Sequence, residues 1–226
     1  MRQLYLPLLL SVVLFACSKK DSENPLITEP VQPMIIEDNT ISAGSFWSLN
    51  IDQPADQVYG TLQSIANDKK ITFINVAGNI FTNVADLEAR MPLYHNLFFD
   101  EPTGTSTGVQ LTFENNKVKA IYLNSGVLLY QWPAAGSASS ALKTGDELST
   151  VYSKMNALKD IDQYKNKFGR LLLLAKKIET TYDSKMTTSP QWTFVSAVNE
   201  RRYYIIDLNF QSGKLSTVHY VLYEKP

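Results

Sequence analysis

The chain has 226 residues, a formal net charge of −1, 44% apolar residues and 12 tyrosines. That balance describes an ordered globular protein, and without a basic stripe it excludes nucleic acid as a partner. Cys17 is the only cysteine, which excludes disulfides within the chain and a cysteine-built metal centre.

The chain opens with a charge at Arg2 and an apolar run from Leu4 to Phe15, closing on Leu14-Phe15-Ala16-Cys17. The run is shorter than the roughly 20 residues that span a bilayer and is apolar all round, unlike a core helix with one apolar stripe. It resembles the signal peptide and lipobox of bacterial lipoproteins. That resemblance implies removal of 1–16, acylation of Cys17, and a membrane partner held through the N-terminal lipid. Ser18, where Asp is the inner-membrane retention signal, implies the outer membrane, on either its periplasmic or its cell-surface face. Lys19-Lys20-Asp21-Ser22-Glu23 is similar to the charged export tag of surface lipoproteins. By signal and composition the chain resembles uncharacterised lipoproteins of Bacteroides-like bacteria.

A lipidated tether is expected over 17–34. It is polar and carries Pro25, Pro30 and Pro33, so it cannot bury a core. At about 3 Å per residue it holds the folded part on the order of 40–50 Å from the bilayer.

The first helix is predicted from Asp52, a good N-cap, through Pro54, with Val58, Leu62 and Ile65 on one face. Ile71 to Val76 reads as a strand. Asn83 caps a short helix through Val84, Leu87 and Met91, ended by Pro92. Val109 to Phe113 and Val118 to Leu123 read as a hairpin about Glu114-Asn115-Asn116-Lys117, followed by a strand from Val127 to Trp132. Pro133 to Leu142 is rich in Ala, Ser and Gly and reads as a linker.

Thr144-Gly145-Asp146-Glu147 then resembles a capping box, opening a second helix with Leu148, Val151, Met155 and Leu158 on one face. Phe168, Leu171, Ala175, Ile178 and Tyr182 lie at helical spacing, predicting a further helix over 162–184. After Ser189-Pro190, strands are predicted over Trp192 to Val198 and Arg202 to Phe210. Gln211-Ser212-Gly213-Lys214 turns the chain into a last strand, Leu215 to Tyr223.

Val58 with Val151 and Leu49 with Leu142 share one offset, and the two hairpins, at Leu111 and Leu208, differ from it by four positions. The expected fold class is therefore α+β, two tandem repeats of helix followed by an antiparallel sheet, over 35–132 and 133–226. This element order resembles the tandem repeats of the beta-lactamase inhibitory protein family.

No reaction-centre motif stands out. His95 sits among apolar residues and His219 alternates with Val218 and Tyr220, so both read as structural, and no His-x-x-x-His pair seats zinc. Gly136-Ser137-Ala138-Ser139 is not a Gly-x-Ser-x-Gly elbow. No cofactor or metal is expected. Asp100-Glu101, before Pro102 and a Thr/Gly run, is the tight acidic pair available to a carboxylate-dependent envelope or glycan hydrolase. The leading expectation is a non-enzymatic binding or interaction module for a protein or glycan. Its contacts are expected on an exposed sheet face, with Trp132, Trp192 and Tyr204 as the aromatic anchors. Tyr203 and Tyr204 are adjacent in a strand, so one is expected inward and the other outward.

Overall fold

In a computed structural model of the protein, the described residues are 32–135 and 140–226. The expected signal peptide (1–16), Cys17, most of the 17–34 tether and the middle of the 133–142 linker lie outside the described residues. In chain order, β1 (Met34–Ile41), β2 (Ser45–Phe46) and β3 (Leu49–Asn50) precede α1 (Ala55–Lys69). Next come β4 (Phe73–Val76), β5 (Ile80–Phe81), β6 (Tyr94–Asp100), β7 (Val109–Glu114), β8 (Lys117–Leu123), β9 (Leu128–Leu129) and β10 (Gln131–Trp132). Then follow β11 (Leu142–Lys143), α2 (Leu148–Leu158), β12 (Arg170–Lys177), β13 (Gln191–Ala197), β14 (Arg202–Gln211) and β15 (Lys214–Glu224).

Eleven strands form one antiparallel sheet in the order β1-β15-β14-β13-β4-β12-β6-β7-β8-β9, with β5 alongside β12. The structure is mostly β, 43% strand against 22% helix. This corrects the expected fold class: the chain is not built as two tandem repeats of helix plus sheet. Each helix buries its apolar face against strands distant in sequence. Val58, Leu62 and Ala66 of α1 join one core with Phe194, Ile206, Leu208 and Val218 of β13, β14 and β15. Val151, Met155 and Leu158 of α2 join a second core with Leu97, Leu111, Phe113 and Ile121 of β6, β7 and β8. A stretch of chain holding one helix and the strands that follow it would bury neither core.

The predicted helix over 162–184 is also corrected, because β12 occupies its centre. Leu171 and Leu173 are fully buried while Leu172 and Leu174 are half-buried, the period-two alternation of a strand. Ala175 has φ 51°. This local break turns Lys176, rather than Ala175, toward the core.

The hairpins form where turn chemistry favours them. Asn115 and Asn116 (φ 50° and 59°), then Ser212 and Gly213 (φ 51° and 73°), supply the two positive-φ residues of a type I′ turn. The predicted caps differ from those present. α1 starts after Pro54 with no side-chain cap, and Asp52 is instead a left-handed residue (φ 68°). The capping box expected of Thr144 and Glu147 is absent, since α2 starts after Glu147 with no side-chain cap; the Asp146 carboxylate between them accepts from the Lys143 N–H and pairs with Lys154 at 2.7 Å.

Candidate functional site

Both helices lie on the sheet face that carries the buried residues, and among the described residues neither packs on the other face. Residues directly opposite across paired strands share a face, so the pairings trace rows over it. One row runs Ile80, Leu172, Phe98, Gln110, Tyr122, Leu128 across β5, β12, β6, β7, β8 and β9. Another runs Asn75, Thr193, Asp207, His219 across β4, β13, β14 and β15. There Thr193 donates to Asp207 at 2.5 Å, and His219 lies 2.9 Å from Asp38 and 3.6 Å from Asp207. The hydrogen bond to Asp38 is the main influence that raises the His219 imidazole pKa above its ordinary value.

The three aromatics expected on an exposed sheet face do not lie on that other face. Trp192 is 0% exposed, within the core beside Phe210 and Tyr59, and its indole N–H has no acceptor among the described residues. It is therefore closed to a ligand. Its parity explains this: Trp192, Phe194 and Ser196 alternate inward along β13. Tyr204 shares the parity of Ile206 and Leu208, so it too points to the helix side, half-buried. Tyr203 and Tyr204 are both half-buried, the former stacked on Tyr223 and the latter packed edge-on to Trp47. His95 is half-buried with its ring 4.8 Å from that of Phe73.

Trp132 does reach a cleft. It is 8% exposed and forms a wall of a cavity of about 340 Å³ with Leu123, Leu129, Pro133, Tyr164, Gln163, Thr107 and Lys167. Tyr164 is tilted against it at 5.6 Å, and Phe99 supports it edge-on at 5.0 Å. The volume lies at the small end of ligand sites, roughly 300–1,000 Å³.

Thr107 and Lys167 of this cleft also belong to a clasp that holds the Asp100-Glu101 pair behind it. Asp100 is 0% exposed at the end of β6. It accepts from the Thr105 N–H at 2.5 Å, the Thr105 hydroxyl at 2.8 Å and the Glu101 N–H at 2.8 Å. The Lys167 ammonium lies 3.3 Å from Asp100 and 2.7 Å from Glu101, and donates to the hydroxyls of Thr105 and Thr107. Burial by itself would raise the Asp100 carboxyl pKa; the Thr105, Glu101 and Lys167 donors outweigh it and hold the group below its ordinary value. Gly108 is required here, since a Cβ at that position would stand 2.6 Å from Asp100 Oδ2. The two carboxylates thus share one ammonium instead of facing each other across a gap.

A second cleft, of about 290 Å³, lies where the turn between β2 and β3 meets the end of α1. Its walls include Trp47, Tyr204, Lys69, Lys70, Asp68 and Ser196. Trp47 stacks on Phe46 (4.6 Å), which stacks on Tyr220 (4.6 Å), and Lys69 Nζ lies 5.1 Å over the indole. Trp47 and Ser48 have φ 48° and 68°, and Lys70, the C-cap of α1, has φ 53°. A left-handed conformation costs a residue with a Cβ about 1–2 kcal/mol; Gly or Asn is usual at such C-caps. Of this site sequence reasoning named only Tyr204. Its visible signal was a turn between Phe46 and Leu49 that carries neither Gly nor Asn.

A cluster of perturbed ionisable groups is buried where Tyr59 of one core meets Tyr94 of the other. Lys176, 0% exposed, donates to the Tyr59 hydroxyl at 2.9 Å, to the Lys177 carbonyl and to the Thr180 hydroxyl. Burial pushes its pKa down to about 8, against the opposing pull of Asp183 and Glu179. Desolvation lifts the Tyr59 phenol to about 12 and, with Asp183 adding to it, drives Tyr94 up as well. Tyr94 donates to Asp183 at 2.8 Å, and Arg90 pairs with the same carboxylate at 3.3 Å. None of these side chains lines either cleft.

No group of three or more His, Cys, Asp or Glu side chains among the described residues is placed to hold a metal ion, and no helix there is long and apolar enough to cross a membrane. No protein-family model, no curated protein and no solved structure matches the chain.

Proposed function

We propose that this protein is a lipid-anchored, non-enzymatic binding module of the bacterial cell envelope, tied by Cys17 to the outer membrane and holding a protein or glycan. The anchoring half rests on the run that closes with Leu14-Phe15-Ala16-Cys17. The binding half rests on one observation: Trp132 and Tyr204 each wall a surface cleft whose rim carries hydrogen-bonding side chains. Aromatic walls with a few placed polar groups are the usual make-up of a small-ligand site. Hydrolysis of a glycosidic bond needs two carboxylates flanking it, and the pairing of Asp100 and Glu101 on Lys167 gives no such gap.

The test uses the full chain in cells, with labelled palmitate and a photo-cross-linking amino acid at Leu129, in the Trp132 cleft. Asp160, exposed beyond α2, serves as control. The expected result is label on the wild type and none on Cys17→Ala, with adducts at position 129 but not 160. Label that is absent from the wild type would overturn the anchoring; equal adducts at both positions, or none, would overturn the binding.

A further inference from the structure

Resting on the reading of the Tyr204 cleft as a binding site, we infer that this cleft, between Trp47 and Lys70, takes an acidic saccharide, a ring that bears a carboxylate beside its hydroxyls. Three features converge there. The first is a concentration of unfavourable backbone. Two other type I′ turns in the chain use Asn115-Asn116 and Ser212-Gly213, each with at least one residue that accepts positive φ readily, whereas this turn uses Trp47-Ser48, which has none. The cap of α1 likewise uses Lys70 at a position that favours Gly. Both departures aim a large side chain into one cavity, and strain of this kind gathers at functional sites.

The second feature is charge. Lys69 is paired with Asp68 at 2.9 Å, whereas Lys70 has no ion-pair partner among the described residues. The rim therefore holds an excess positive charge for a carboxylate, with charge-assisted hydrogen bonds from two ammonium groups. The third is the pairing of Trp47 with Tyr204, edge to face at 5.5 Å. With Phe46 stacked on the indole and the Lys69 ammonium over it, what Trp47 and Tyr204 offer the apolar side of a sugar is the ring margin that walls the cavity. The Asp68 carboxylate, largely exposed, accepts from sugar hydroxyls; a wholly apolar acid would leave it unused and meet only its repulsion. The cavity of about 290 Å³ admits a short oligomer end, not a long chain buried along its length.

The test measures binding to the full-length protein by calorimetry, with digalacturonate as the acidic probe and galactobiose as its uncharged counterpart. Digalacturonate is expected to bind at least about tenfold tighter than galactobiose, the worth of one charge-assisted contact. Lys70→Gly is expected to lose about that factor and Lys70→Arg to keep it. Because Gly relieves the left-handed cap, Lys70→Gly should also raise the melting temperature by about 2–4 °C. Lower affinity in a more stable protein separates a ligand contact from damage to the fold. Equal affinity for the two probes, no binding of either, or a Lys70→Gly variant that binds digalacturonate as the wild type does would each overturn the assignment.

Discussion

Lys176→Met replaces a fully buried ammonium with a side chain of similar length and no charge. The hydroxyls that Lys176 touches keep other partners. Tyr59 still reaches the carbonyls of Lys177 and Thr180, and Thr180 that of Lys177. Asp183 retains Arg90, Tyr94 and the Lys185 N–H. The unfolded chain titrates this lysine near 10.4, and the folded protein at about 8. Between those values the unfolded state binds more protons, so wild-type stability rises with pH. From pH 7 to 9.5 the gain from this one group is about 2 kcal/mol, at 1.36 kcal/mol per pH unit above the folded value. The window closes above pH 10, where Tyr59 and Tyr94, held protonated in the fold, begin to act in the opposite sense. Urea unfolding of wild type and Lys176→Met at pH 7 and 9.5 reads the effect. The variant is expected to be as stable as the wild type or more so at pH 7, with the difference moving in the wild type's favour by about 2 kcal/mol at pH 9.5. A difference that does not change with pH, or a variant that loses several kcal/mol at pH 7, would refute the reasoning.

Asp100→Ala strands the N–H groups of Glu101 and Thr105, and is expected to cost about 2–4 kcal/mol by urea unfolding. Because the folded carboxyl titrates below its ordinary value, its contribution is present above about pH 4 and lost as pH falls through the folded value, which an acid titration of wild type against Asp100→Asn will show. His219 has the opposite sign. Its bridge from Asp38 of β1 to Asp207 of β14 is fully formed below about pH 6.5 and lost as pH rises through the higher folded value. Amide exchange along β1 should accordingly be slower at pH 5.5 than at 8.5 after correction for intrinsic rates, and His219→Gln should erase that difference. Trp192→Ala is expected to cost about 3–5 kcal/mol. Trp192→Phe should cost far less, since it also removes a buried N–H with no acceptor; equal losses in the two variants would refute this.

Local chemistry was legible in the sequence and long-range choice was not. The turns at Asn115-Asn116 and Ser212-Gly213, and the face of α1 through Val58 and Leu62, depend on neighbours within a few positions. β12 was lost because the apolar run from Leu171 to Ala175 fits a buried strand and a helix equally well by periodicity. Lys176, directly after that run, is turned inward by the break at Ala175. Which strands each helix would cover was beyond reach, since α1 meets β13–β15 more than a hundred residues later in the chain. The same limit applies to the aromatics. Trp132 and Trp192 sit in similar apolar–polar patterns, and only the layers packed above them leave one at a cleft and the other sealed.

The two clefts share a principle of construction that explains how a strained turn persists. Each lies at the margin of one core, so its aromatic wall is backed by side chains that cannot move. Trp132 leans on Phe99 and Phe168, which stack on each other at 5.3 Å within the core beneath α2. Trp47 leans on Phe46, and Phe46 on Tyr220, against the core beneath α1. Stacked pairs contribute about 0.5–1.5 kcal/mol each beyond their buried area, comparable with the cost of holding Trp47 and Ser48 left-handed. The turn is therefore held nearly in balance by its own ring stack, and Tyr220, anchored at its far end by Glu37 of β1 at 3.0 Å, becomes the residue on which the posture of Trp47 depends. Tyr220→Ala should free the indole without unfolding the sheet, seen as a red-shifted and more quenchable tryptophan emission at unchanged far-ultraviolet dichroism. An emission that stays as in the wild type would show that Trp47 is held by the turn itself and not by the stack.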